Sequence, residues 1–225
     1  VCHLLYTHLN INHYDYVFFV DSDDYLLVGF KSALVELYTK KPDILTCSYI
    51  QTDSKSSKVL KTYNQPKKKY SHQTALKQFL YRNFVPGIGN TFFKKSEVRF
   101  SKFKLGADSL YTFENLLISN TVIGIPISVY DYKIRTGSAM DSQSFDNLKV
   151  GLIISKQIKS SYKSLIIPSN FFLFNDMYGY YQRTNNIINS NKRLINLKWF
   201  FEISLKKIIK IIIYKLILCW RSIKN

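Results

Sequence analysis

Five apolar residues in a row, 16–20 (Tyr-Val-Phe-Phe-Val), stop at the acidic tetrapeptide Asp21-Ser22-Asp23-Asp24. A short continuous apolar run is what a strand buried on both faces requires. Three carboxylates in four residues directly after it raise one another's pKa and are costly unless solvent or a cation neutralises them. A chain with this junction calls for a sheet whose strand ends at an open, polar rim, the place where ligands bind in open α/β folds. Two readings of the cluster stand side by side. It holds a divalent metal on a diphosphate, or it is a solvated turn in which Asp24 caps the next helix.

The pattern on either side is that of an α/β chain. Residues 3–12 read as the end of a helix. Phe30, Ala33, Leu34, Leu37 and Tyr38 recur at helical spacing, Pro42 closes that helix, and residues 44–50 form the next apolar stretch. Residues 53–69 are polar and Lys-rich and read as a loop or weak hairpin. Ser71 is placed to cap a short helix with Ala75, Leu76, Phe79 and Leu80 on one face. Pro86, Gly87 and Gly89 then mark a turn into the aromatic run 91–93. Asp108 opens another helix, with Phe113, Leu116 and Leu117 on one face and a carboxylate where the dipole favours it. Residues 122–127 and 129–134 read as two strands broken at Pro126 and Ser128, and from Asp141 onward the pattern is helical, with breaks near Pro168 and residues 189–191.

Composition narrows the classes. With 225 residues, 46% of them hydrophobic and 16% aromatic, the chain has ample apolar surface for a core and is not an intrinsically disordered one. Its three Cys, at positions 2, 47 and 219, have no motif spacing, which excludes a disulfide scaffold or a Cys-rich zinc site. The formal net charge of +17 favours anionic partners: nucleic acid, phospholipid head groups or sugar nucleotides. No basic-aromatic recognition module accompanies the charge, so no nucleic-acid partner is expected. His3, His8, His13 and His72 lack metal-ligand spacing, and Cys47, in mid-strand, reads as a buried small hydrophobe.

The string YVFFVDSDDYL (16–26) resembles the strand and metal-binding DxD motif of family 2 glycosyltransferases. Two further segments follow in the family's order. TFFKKSEVRFSKFKLGADSLYTFENLL (91–117) is similar to the acceptor-side segment in which an acidic pair precedes a helix, and YKIRTGSAM (132–140) to the strand and Gly-Ser turn beyond it. The resemblance covers about residues 5–140 and implies a GT-A-type, Rossmann-like mixed sheet flanked by helices. The division it implies is a partial GT-A domain over 1–140 and a helical, basic C-terminal extension over 141–225.

On this resemblance Asp21 and Asp23 match the two acids that contact the nucleotide and the metal, with Asp23 as the direct ligand. Asp108 matches the acid that, in inverting members, takes the proton from the acceptor hydroxyl. Arg135 is placed to help hold the phosphates. The implied cofactor is manganese or magnesium, the donor a nucleotide-diphosphate sugar, and the acceptor a glycan or lipid-linked saccharide in cell-surface polysaccharide synthesis. For Asp108 an ordinary helix cap, and for Arg135 a surface strand position, are the alternatives from the residues themselves. The chain departs from the pattern in two ways. Ala107 stands where the family has Glu, and the chain begins only just before the DxD strand, so that the first half of the donor site is not in it. It is therefore expected to be either part of a longer enzyme or a non-catalytic, membrane-associated remnant or subunit.

Residues 1–12 show no charged segment followed by an apolar core, so no signal peptide is read there. Placed on a helix, Lys206, Lys207, Lys210, Arg221 and Lys224 share one face, with Ile208, Ile209, Ile212, Ile213, Leu216 and Ile217 among the other positions and Lys215 opposite the cations as a mismatch. That pattern fits a helix lying on an anionic membrane, at about 1 kcal/mol per cation near the surface. The expected location is peripheral, on the cytoplasmic face of the cell membrane. Packing of that helix on the catalytic domain or on a partner is the other reading.

Overall fold

The computed structural model describes residues 15–82, 87–96, 98–103, 106–135 and 146–188, with side chains through residue 177. In chain order the elements are β1 (Tyr16–Val17), β2 (Tyr25–Leu26), α1 (Gly29–Lys40), β3 (Ile44–Asp53), β4 (Val59–Tyr63) and β5 (Lys68–Tyr70). They continue with α2 (His72–Leu80), β6 (Thr91–Lys94), α3 (Ala107–Ile118), β7 (Val122–Ile134), α4 (Asp146–Ser161) and α5 (Ile166–Ile188). The chain divides into two compact units, Val1–Tyr180 and Tyr181–Asn225. The described strands and α1 to α4 all belong to the first, and the described part of the second is the end of α5.

The sheet is organised by its two longest strands. β3 and β7 pair in parallel from Ile44↔Val122 to Asp53↔Ile134, and every other pairing is antiparallel. β6 and β5 flank the first halves of this pair, while β4 and β2 flank its second halves. Adjacent residues on a strand point to opposite faces, and the sequence exploits this at three neighbouring positions. Ile44, Phe93 and Val122 face a core completed by α2, α3 and α4 together with Phe172 of α5. Leu45, Phe92 and Ile123 face a second core covered by Ala33 and Leu37 of α1. This is the expected α/β architecture of a mixed sheet flanked by helices.

Three local differences from the sequence pattern have physical causes. The break at Pro126 and Ser128 does not end a strand. β7 runs through it as a bulge, with the register slipping between Cys47↔Ile125 and Ser48↔Ser128 and again before Tyr49↔Tyr130. α1 starts against this bulge at Gly29, where a Cβ would lie 2.3 Å from the Ser128 carbonyl oxygen. The Lys-rich stretch contains two strands, because β4 and β5 find edges of β3 and β7 that local sequence does not reveal. Finally, the helical break falls at residues 162–165, ahead of Pro168. That proline sits in the first turn of α5, where no N–H partner is needed.

Asp43, just before β3, ties the sheet to the loop ahead of β7. Its Oδ2 accepts the backbone N–H groups of Asn120 and Thr121, both at 2.9 Å, and the Thr121 hydroxyl at 3.0 Å. Partial burial pushes its pKa up, but these donors and Lys94 outweigh it and hold the carboxyl below its ordinary value. A depressed pKa means stability that is present above the unfolded-state value near 4 and is lost as pH falls through the folded value. Asp43→Ala is expected to cost about 2–3 kcal/mol at neutral pH and to flatten the acid limb of the stability curve, as measured by urea melts.

Candidate active site

The acidic turn and the start of α3 are drawn together by aromatic packing. Phe19, two residues before Asp21, meets the Tyr111 ring edge-on at 5.5 Å and Phe100 at 5.0 Å. Tyr111 lies one helical turn after Asp108 and stacks on Phe100 at 4.4 Å. Such ring pairs contribute about 0.5–1.5 kcal/mol each beyond their buried area. The segments carrying Asp21 and Asp108 are therefore fixed to one core.

Within the turn the three carboxylates have separate environments. Asp24 is buried, at 8% exposure, with both oxygens engaged: Oδ2 accepts the Tyr130 hydroxyl and Oδ1 accepts the Lys133 backbone N–H at 2.8 Å. It caps no helix, since the residue preceding α1 is Val28. Burial raises its pKa, the two hydrogen bonds oppose this, and repulsion from Asp23 and Asp21 adds to the rise. Asp23 keeps 36% of its side chain exposed and pairs with the Arg135 guanidinium at 3.0 Å. Asp21 is half-buried, and its backbone N–H donates to the Tyr130 hydroxyl at 3.3 Å.

Asp108 is the second residue of α3, which follows Gly106 in a left-handed conformation (φ 80°). The residue presents surface to solvent, yet the protein around its carboxyl withdraws it from bulk water and raises its pKa. Its own N–H and that of Ser109, with the Arg82 charge, pull the other way, and Asp21 adds repulsion. With Asp108 exposed, the shift bears on protonation and not on fold stability. The Tyr132 phenol, raised first by burial, also feels Asp24, Asp21, Asp23 and Asp108. Interactions between charges fade beyond roughly 10 Å at physiological salt. Tyr132, near the end of β7, thus senses all four carboxylates, and Arg135, just beyond it, pairs with Asp23.

Arg82 was not singled out by any sequence pattern. It holds a left-handed backbone conformation (φ 55°) at the end of α2, pairs with Asp176 of α5 and lies 4.4 Å over the Phe172 ring. Its positive field acts on Asp108. Arg82→Gln is expected to raise the Asp108 pKa further, and carboxyl titration followed by NMR reads the direction. The remaining candidates are structural. Cys47 is fully buried with its thiol pushed up to about 12, and a His72 ring nitrogen contacts the Ser119 carbonyl oxygen at 3.1 Å. Ala107 is half-buried against the core. His3, His8, His13 and residues 203–224 lie outside the described residues.

Among the described residues no group of three or more His, Cys, Asp or Glu forms a metal cage. Asp24 is committed to Tyr130 and Lys133, and the other two acids of the turn are Asp21 and Asp23. Two carboxylates suit a magnesium-like cation that takes its remaining ligands from water and substrate phosphates. The residues present fit a cation shared with a diphosphate and not an all-protein site. Among the described residues no helix is long and apolar enough to cross a membrane.

No protein-family model matches the chain, and no curated protein matches it in sequence. In three dimensions it is similar to residues 1–349 of Staphylococcus aureus TarS, a glycosyltransferase, with a TM-score of 0.54 at 14% identity. The match covers 87% of this chain and 55% of that one. The chain thus has a glycosyltransferase-like fold and spans about half the length of the solved structure it resembles.

Proposed function

We propose that the chain is the part of a family 2 glycosyltransferase that carries the cation-binding and general-base residues. This reading is supported by the Asp23–Arg135 ion pair and by the electrostatic influence of Asp21 on Asp108, in a chain with a glycosyltransferase-like fold. Asp23 and Asp21 would hold a manganese or magnesium ion, and Arg135 would pair with the donor phosphates. When bound, the cation supplies positive charge against the negative charge that builds on the departing nucleoside diphosphate. Asp108 accepts the proton of an acceptor hydroxyl. The hydroxyl oxygen bonds to the anomeric carbon, whose bond to the diphosphate breaks with the electron pair leaving on the phosphate oxygen. Attack from the opposite face inverts the anomeric centre.

The acceptor in this reading is a glycan or lipid-linked saccharide at the cytoplasmic face of the cell membrane, with the basic residues of 203–224 meeting anionic lipid. The test uses protein from the complete reading frame and a panel of nucleotide-diphosphate sugars with manganese, scoring released nucleoside diphosphate. Release that needs the cation and stops with EDTA supports the proposal. Ala107 favours a second reading, a non-catalytic membrane-associated remnant. It is supported if the protein sediments with anionic liposomes yet binds no sugar nucleotide, and that result would end the enzyme reading.

A further inference from the structure

We infer that Tyr130 and Asp24 are positioning residues: the Tyr130 hydroxyl, anchored on the Asp24 carboxylate, fixes the backbone of the acidic turn and so the placement of Asp21 and Asp23, and Asp24 is not itself a cation ligand. The inference rests on reading Asp21 and Asp23 as the cation-facing pair.

Asp24 is the acid that looks most like a third ligand in the sequence and the one least available in the fold. Each of its oxygens has a donor from β7, the Tyr130 hydroxyl on one and the Lys133 N–H on the other. The Tyr130 oxygen in turn accepts the Asp21 N–H, while the Asp24 N–H closes the turn on the Asp21 carbonyl at 3.2 Å. The hydroxyl therefore donates to one end of the turn and accepts from the other, which no other part of its side chain can do. The ring beneath it is held in the core: it is 4% exposed, meets Phe18 edge-on at 6.4 Å, and leaves no room for a Cβ at Gly89, which would lie 2.6 Å away. Burying a carboxylate is costly unless it is hydrogen-bonded. Its retention here is explained by the grip it gives on the neighbouring pair.

The experiment compares wild type, Tyr130→Phe, Asp24→Ala, Asp24→Asn and the double variant combining Tyr130→Phe with Asp24→Ala, by amide hydrogen exchange and by manganese binding in the presence of a nucleoside diphosphate, followed by EPR. Tyr130→Phe is expected to strip protection from the Asp21 amide and weaken manganese binding about tenfold, with near-UV circular dichroism unchanged. Asp24→Ala weakens binding similarly, and the double variant is no worse than Asp24→Ala. Asp24→Asn, which keeps an acceptor for the Lys133 N–H, retains affinity that Asp24→Ala loses, and it carries the test if Tyr130→Phe does not fold. A direct ligand gives the opposite pattern. Tyr130→Phe would then leave binding intact or tighten it, Asp24→Asn would fail as badly as Asp24→Ala, and the inference would fall. If wild type binds no manganese, the active-site reading fails instead. The Asp21 amide still decides the anchor, which is sustained if protection is lost in Tyr130→Phe and overturned if it is unchanged.

Discussion

Asp108→Asn is expected to leave a folded protein whose sugar transfer is slower by about 10³-fold, within the usual range for removing a general base. The amide keeps the size of the carboxyl and can still accept the N–H groups at the start of α3, but it cannot take a proton at working pH. The effect should appear in the rate of transfer at saturating donor, with donor binding little changed. The pH profile gives an independent check. Withdrawal from water and the Asp21 charge raise the Asp108 pKa, and Arg82 only partly offsets them. A base works when deprotonated, so activity rises with pH through a pKa above the ordinary aspartate value. That limb should be absent from the residual activity of Asp108→Asn.

The second large effect is expected at Asp23. Replacement by Ala removes a partly exposed carboxylate and breaks its ion pair with Arg135. Charge stabilisation by a bound cation is worth several kcal/mol, so transfer should fall by more than about a hundredfold and lose its dependence on manganese concentration. Asp21→Ala should act in the same direction. Both side chains keep contact with solvent, so stability should change by less than about 1 kcal/mol. A large loss of stability in Asp23→Ala would instead mark the residue as part of the fold.

What the sequence conveyed about this fold depended on how local each feature is. The helical spacing of Ala33 and Leu37 and the carboxylate opening α3 are patterns within a few residues, and both were readable. The apolar run 16–20 was not the doubly buried strand it suggested, since only Tyr16–Val17 pair as a strand, Phe19 alone is buried and Val20 is 40% exposed. The partners of the acids were not readable either. Tyr130 reaches Asp24 across 106 positions and Arg82 reaches Asp176 across 94, and no local periodicity encodes such pairings. The same limit explains the Lys-rich stretch. β4 and β5 have little intrinsic strand character and form because β3 and β7 offer open edges. Pro126 misled in the opposite direction, since a bulge accommodated what looked like a strand end.

The decisive observation is whether manganese added at the acidic turn is felt at the base. With amide and tyrosine signals assigned, bound manganese should broaden Ser109 and Tyr132 together with residues 21–23, and Asp23→Ala should abolish all of it at once. Broadening confined to residues 21–23, with Ser109 and Tyr132 left sharp, would mean that the two acidic segments do not share a pocket.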